Sequence, residues 1–136
     1  MECFLEKELD YSFEDPLKRL IFTDATVRDP MTGKSMEVRC LWDTGASGTC
    51  ISQTVISRLC LKPISAVMAQ SANSYNRMGI FLIDLDLGPS AFNGVPVAGL
   101  VSGRTPVADI FLGMDIIGRG DMSLTHKNGK LVFHWE

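Results

Sequence analysis

Long apolar runs are missing from this 136-residue chain. Apolar runs such as Gly79–Ile83 and Ile110–Gly113 fall far short of the ~20 residues that a membrane-spanning helix needs. No membrane partner is expected. A basic stripe is missing as well: 13 Lys and Arg stand scattered among 16 Asp and Glu, for a net charge of −3. That balance argues against nucleic acid as a partner. The four cysteines (Cys3, Cys40, Cys50 and Cys60) show neither CxxC spacing nor a Cys/His pairing suited to zinc. No metal and no cofactor is expected, and the cysteines are expected to be small buried hydrophobes in a reducing compartment. The opening residues, MECFLEKELDYSFEDPLKRL, carry charges every two or three positions and lack the apolar centre of a secretory signal. A cytoplasmic location is the expectation. Internal repeats and low-complexity linkers are also lacking.

What the chain does have is ordinary globular composition, 46% hydrophobic and 21% charged. Its length suits one domain, which at this size buries roughly two-thirds of its unfolded surface without metal or disulfide. Gly and Pro punctuate it often, with short extended runs between, which is the pattern of an all-β domain. Arg19–Arg28 and Ser35–Leu41 alternate apolar and polar residues around a Pro-Met-Thr-Gly turn and predict a hairpin. Ile80–Leu87 sets Phe81, Ile83, Leu85 and Leu87 on one face and Asp84 and Asp86 on the other. Met122–Glu136 predicts a second hairpin, turning at Asn128-Gly129. Only two stretches suit helices. Gln53–Leu61 spaces Val55, Ile56, Leu59 and Cys60 on one face behind Ser52 as N-cap, and Met114–Arg119 fits a short turn. Residues 1–20 are expected to pack on the domain or to precede it, with residues 21–136 forming the domain itself.

One segment carries candidate chemistry: Leu41-Trp42-Asp43-Thr44-Gly45-Ala46-Ser47-Gly48-Thr49, directly after a predicted strand. Asp43 at the strand end sits in a tight loop, where Gly45, with no Cβ, lets backbone N–H groups approach the carboxylate. Thr44 adds a hydroxyl for a neighbouring backbone group. For the tripeptide alone, an Asx-type turn between strand and helix is a sufficient account. About 70 residues further on, Ile110-Phe111-Leu112-Gly113-Met114-Asp115-Ile116-Ile117-Gly118 is an apolar run ending in apolar-apolar-Gly, then a short helix.

Together the two segments resemble the retropepsin-like aspartic proteases, the family of the retroviral enzymes. In that family hydrophobic-hydrophobic-Asp-Thr-Gly-Ala is followed by a flap and then by a hydrophobic-hydrophobic-Gly element. The likeness covers about residues 20–136 and is closest to bacterial stand-alone members. It implies an all-β, single-lobed acid protease fold with one or two short helices, in which Leu112 and Gly113 thread beside the active loop as a psi-shaped motif. It also implies Asp43 as the catalytic residue, with Thr44, Gly45 and Ala46 forming the active-site loop.

Aspartic proteolysis uses two carboxylates that share one proton around a water: one is the general base, the other polarises the scissile carbonyl. This chain has a single Asp-Thr-Gly, so the resemblance implies a homodimer in which Asp43 meets its symmetry mate and cleaves a peptide or protein substrate. Thr44 would bond across to the mate's loop, and Arg119, after Ile-Ile-Gly, would be structural. The strand Lys130–Glu136, with Leu131, Phe133 and Trp135 alternating, is the expected interface.

The candidate flap is Gln70, Ser71, Ala72, Asn73, Ser74 and Tyr75, within Val67–Gly79. It departs from the Gly-rich flaps of the viral enzymes. Tyr75 either brings a phenol near the cleft or is an exposed loop tyrosine. Asp115 is expected to cap the turn after Gly113 or to face solvent. His126 and His134 have no partners for a triad, and Gly45-Ala46-Ser47-Gly48 is not a nucleophile elbow. Two alternatives to an endopeptidase stand: a non-catalytic retropepsin-like dimerisation or peptide-binding module, and a monomeric β-domain with an accidental Asp-Thr-Gly.

Overall fold

The computed structural model describes residues 4–71, 74–101 and 106–136. In chain order the strands are β1 (Leu5–Leu9), β2 (Phe22–Arg28), β3 (Ser35–Trp42), β4 (Cys50–Ile51), β5 (Ser65–Ser71), β6 (Ser74–Asp86), β7 (Ala91–Gly99), β8 (Ile110–Leu112), β9 (Met122–Lys127) and β10 (Lys130–Trp135). Among the described residues, two helices, α1 (Gln53–Leu59) and α2 (Met114–Ile117), and one 3-10 turn (Pro16–Arg19) complete the elements. No helix among these residues is long and apolar enough to cross a membrane.

The hairpin of β2 and β3 forms because period-two burial meets a turn that satisfies itself. Ala25 and Val27 on one strand and Val38 and Cys40 on the other point into the core. The buried Asp29 carboxylate accepts from the Met31 N–H (2.9 Å) and the Thr32 hydroxyl (3.1 Å), and Gly33 takes the φ of +78° that closes the turn. β6 buries Phe81, Ile83 and Leu85, with Leu87 just beyond its end, as the alternation predicts. α1 starts at Ser52, whose hydroxyl accepts from the Val55 N–H, and stops at Cys60 in the left-handed conformation. That cap leaves Cys60 exposed rather than on the buried face with Val55 and Leu59. Cys50 is half-buried, so of the cysteines described only Cys40 is a core residue. Cys3 lies outside the described residues.

Seven strands run in the order β2-β3-β8-β4-β7-β6-β5, and β2 also pairs with β6, which closes the sheet on itself. Only the first half of β6 (Ser74–Ile80) pairs with β5, and β7 joins β6 from Ile80 onward. The β5–β6 hairpin therefore leaves the closed sheet as a two-stranded arm. The second sheet holds β1, β10 and β9 in that order. One core joins the sheets: Trp42 of β3 packs, with its ring tilted, on Phe133 (4.9 Å between centroids) and Trp135 (5.4 Å) of β10.

The terminal hairpin turns at Asn128-Gly129, both with positive φ, as the sequence predicts. Its last strand corrects an expectation. β10 is paired on both edges, by β1 and by β9, and Phe133 and Trp135 are 0% and 1% exposed. It offers no free edge, because the chain's own first strand occupies it. β7 escaped the sequence pattern altogether: Gly94 and Pro96 break its alternation, yet Leu82 pairs with Pro96 and Val95 and Val97 are buried.

Candidate active site

Asp43 stands where β3 ends. β8 lies between β3, with which it runs parallel through Trp42↔Leu112, and β4, with which it runs antiparallel through Cys50↔Phe111. The loop from Asp43 to Thr49 thus leaves β3, passes the end of β8 and returns as β4 on β8's far side. This is a psi-shaped crossing, built from the two segments that stand out in the sequence.

Backbone hydrogen bonds lock the crossing. The Asp43 N–H donates to the Leu112 carbonyl (2.9 Å), the Met114 N–H to Ala46 (2.8 Å) and the Asp115 N–H to Ser47 (3.2 Å). Gly113 is buried where the chains touch: a Cβ there would lie 2.6 Å from the Gly48 carbonyl carbon and oxygen. No side chain fits that gap.

The half-buried Asp43 carboxylate accepts from the Gly45 N–H (3.0 Å), and the Ala46 N–H donates to the Asp43 carbonyl (3.2 Å). A Cβ at Gly45 would stand 3.2 Å from the carboxylate oxygen, so glycine keeps that approach open. Thr44 is exposed, and its hydroxyl has no partner among the described residues. Beside the loop, the Cys50 thiol is pushed up, first by burial and then by the Asp115 and Asp43 carboxylates. A thiol raised in this way carries less of the thiolate, the form that attacks as a nucleophile.

Asp115 and Thr49 form an unforeseen clasp. Asp115 caps the turn after Gly113, its carboxylate accepting from the Ile116 N–H (3.0 Å), and it also reaches across the crossing. Its carboxylate accepts from the Thr49 hydroxyl (2.8 Å) and N–H (3.2 Å), and the buried Thr49 oxygen accepts from the Gly113 N–H (3.1 Å). Only the crossing brings these residues together, so nothing in the local sequence signals the pair. Arg119 fastens the other end of α2, donating through Nε to the Asp115 carbonyl (3.1 Å) with its guanidinium 5.3 Å over Phe92.

The structure brings Asp43, Thr44, Gly45, Ala46, Leu112 and Gly113 into one site. Of the candidate flap, the backbones of Gln70, Ser71, Ser74 and Tyr75 pair at the end of the β5–β6 arm, Gln70 with Tyr75 and Ser71 with Ser74. Ala72 and Asn73 lie outside the described residues, and so does the side chain of Tyr75. No group of His, Cys, Asp and Glu among the described residues is arranged to hold a metal ion.

Residues 31–119, roughly two-thirds of the chain, match the family model described as "gag-polyprotein putative aspartyl protease". Among solved structures, a retropepsin-like aspartic protease from Rickettsia conorii superposes with a TM-score of 0.62 at 15% identity, over 97% of this chain and 92% of that one. The EIAV protease, in complex with the inhibitor HBY-793, gives 0.51 at 16% identity, over 77% and 91%. No curated protein sequence matches. At such identities the superpositions speak for the fold alone, while the family rests on the sequence model. The chain belongs to the gag-polyprotein aspartyl protease family, and its fold is retropepsin-like.

Proposed function

We propose that this protein is an aspartic endopeptidase that works as a homodimer, each copy supplying one Asp43. The observation that carries the reading is the psi-shaped crossing, which holds one Asp-Thr-Gly carboxylate at a strand end with its loop locked. One carboxylate removes a proton from a water between the pair. The other, protonated, polarises the peptide carbonyl as the water attacks. The nitrogen then takes a proton from the pair and leaves, and no covalent intermediate with the enzyme forms. Two carboxylates at hydrogen-bonding distance cannot both ionise, so cleavage depends on one shared proton and is expected to rise below neutral pH.

Gln70–Tyr75 serves as the flap in this reading. Its support is the two-stranded arm that leaves the closed sheet, with Val67 and Met68 exposed along it. Such an arm can close over an extended peptide and pair with its backbone. Thr44 bonds to the second copy's loop in this reading, and its exposure supports that role.

The test is a fluorogenic peptide library. Asp43→Asn is expected to abolish cleavage with the circular dichroism spectrum and oligomeric state unchanged, and the wild-type rate is expected to rise as pH falls below 7. Equal turnover by Asp43→Asn and wild type would overturn the assignment. A wild type that binds peptides without cleaving any would leave the non-catalytic module instead.

A further inference from the structure

Resting on the homodimeric reading above, we infer that the two copies join through the outer edge of β9, paired antiparallel with itself about Leu124, to make one six-stranded sheet. The three-stranded sheet has two edges, and they differ. β1 carries Glu6, Lys7 and Glu8 in succession, Lys7 reaches over to donate to the Phe22 carbonyl, and Lys130 pairs with Glu8 (2.9 Å). Charge of that density protects an edge from further pairing. β9 reads Met-Ser-Leu-Thr-His before its terminal lysine, with no proline, glycine or bulge, and its outer edge pairs with no strand among the described residues.

The apolar face of the sheet continues onto that edge. Leu124 lies opposite Phe133 and Met122 opposite Trp135, so all four share the face that packs on Trp42. Phe133 and Trp135 are fully buried there, whereas Leu124 is 49% exposed. A second copy of the same edge would cover it.

Register and charge select the second copy as occupant. Lys127 and Lys130 flank a two-residue turn with positive φ at both positions, so they exchange backbone bonds. By the alternation of an antiparallel ladder, the N–H and C=O groups of Met122, Leu124 and His126 then face outward. Centring a twofold axis on Leu124 sets Leu124 against the partner's Leu124, Met122 against His126, Ser123 against Thr125, and acidic Asp121 against basic Lys127. Every outward backbone group finds a partner, a hydroxyl meets a hydroxyl, and opposite charges close both ends. The axis stands normal to the sheet, and Trp42, the residue before Asp43, packs on one face of that sheet. Dimerisation there sets the two Asp43 loops on the same face of the joined sheet, across the axis from one another, as the single-carboxylate site requires.

Sedimentation over a range of concentrations tests this. Wild type is expected to dimerise reversibly. Leu124→Glu, which sets like charges face to face on the axis, is expected to sediment as a monomer with unchanged circular dichroism and no cleavage. Asp121→Lys and Lys127→Asp are each expected to raise the dimer dissociation constant roughly tenfold, since each alters two symmetric pairs. The double reversal is expected to restore it. A Leu124→Glu protein that dimerises like wild type would overturn the β9 interface and leave the homodimer standing. A wild type that stays monomeric would overturn both. Should Leu124→Glu fail to fold, the charge series decides: single reversals that dimerise like wild type overturn the interface.

Discussion

Gly113 is the residue on which the site's geometry turns most sharply. Its missing Cβ lets β8's end touch the Asp43 loop at Gly48, with 2.6 Å between the absent atom and the opposing carbonyl. Backbone on both sides leaves nothing flexible to give way. Gly113→Ala is therefore expected to push the loop from β8 and break the Met114-to-Ala46 bond (2.8 Å). Overpacking of that kind costs about 1–3 kcal/mol. Urea unfolding should show the loss in midpoint, and peptide cleavage should fall further than stability does. Asp43 and Gly113 were both legible as residues, because the chemistry of an acid at a strand end and of an apolar-apolar-Gly run is local. Thr49 and Asp115 were not, because their hydrogen bonds span 66 positions of sequence.

At the scale of elements, local signals worked where the element satisfies itself. α1 is seven residues long and owes its start to one side chain, the Ser52 hydroxyl on the Val55 N–H. Ser52 is 1% exposed, so water cannot replace that acceptor. Ser52→Ala is expected to destabilise the protein by ~1 kcal/mol, read as a shift in the urea midpoint, with Ser52→Thr keeping most of the stability. Hairpins with an Asx turn or Asn-Gly at the tip were equally plain, since the turn chemistry sets the register. β7 and β4 were not. β7 contains Gly94 and Pro96, and β4 is two residues long, so each exists only because neighbouring strands hold it.

For the whole molecule, Cys40 reports on the closed sheet. It is 0% exposed, and its thiol is pushed up to about 12 by burial, with smaller help from the Asp109 and Asp24 carboxylates. The unfolded thiol ionises near 9.0, so above that pH the unfolded chain binds fewer protons than the folded one. This contribution to stability is complete below pH 9 and fades as pH rises toward 12, by about 4 kcal/mol in all. Denaturation at a series of pH values should show the decline, and Cys40→Ala should flatten it. In a Cys3→Ser background, iodoacetamide at pH 8 should label Cys60 quickly, and Cys40 only at the rate of global opening.

The sequence alone determined the class of the protein: an Asp-Thr-Gly loop after one apolar run, a Gly-ended run later, and turn residues between short alternating strands. Those are facts of local chemistry, written in consecutive residues. Tertiary structure decided what those residues meet. It set β8 between β3 and β4, clasped Thr49 to Asp115, and gave β10 a neighbour on each side, so that the strand expected to be an open edge became the middle of a sheet. Strand neighbours are chosen by burial and by backbone groups that must all find partners across the chain. No window of sequence contains that competition.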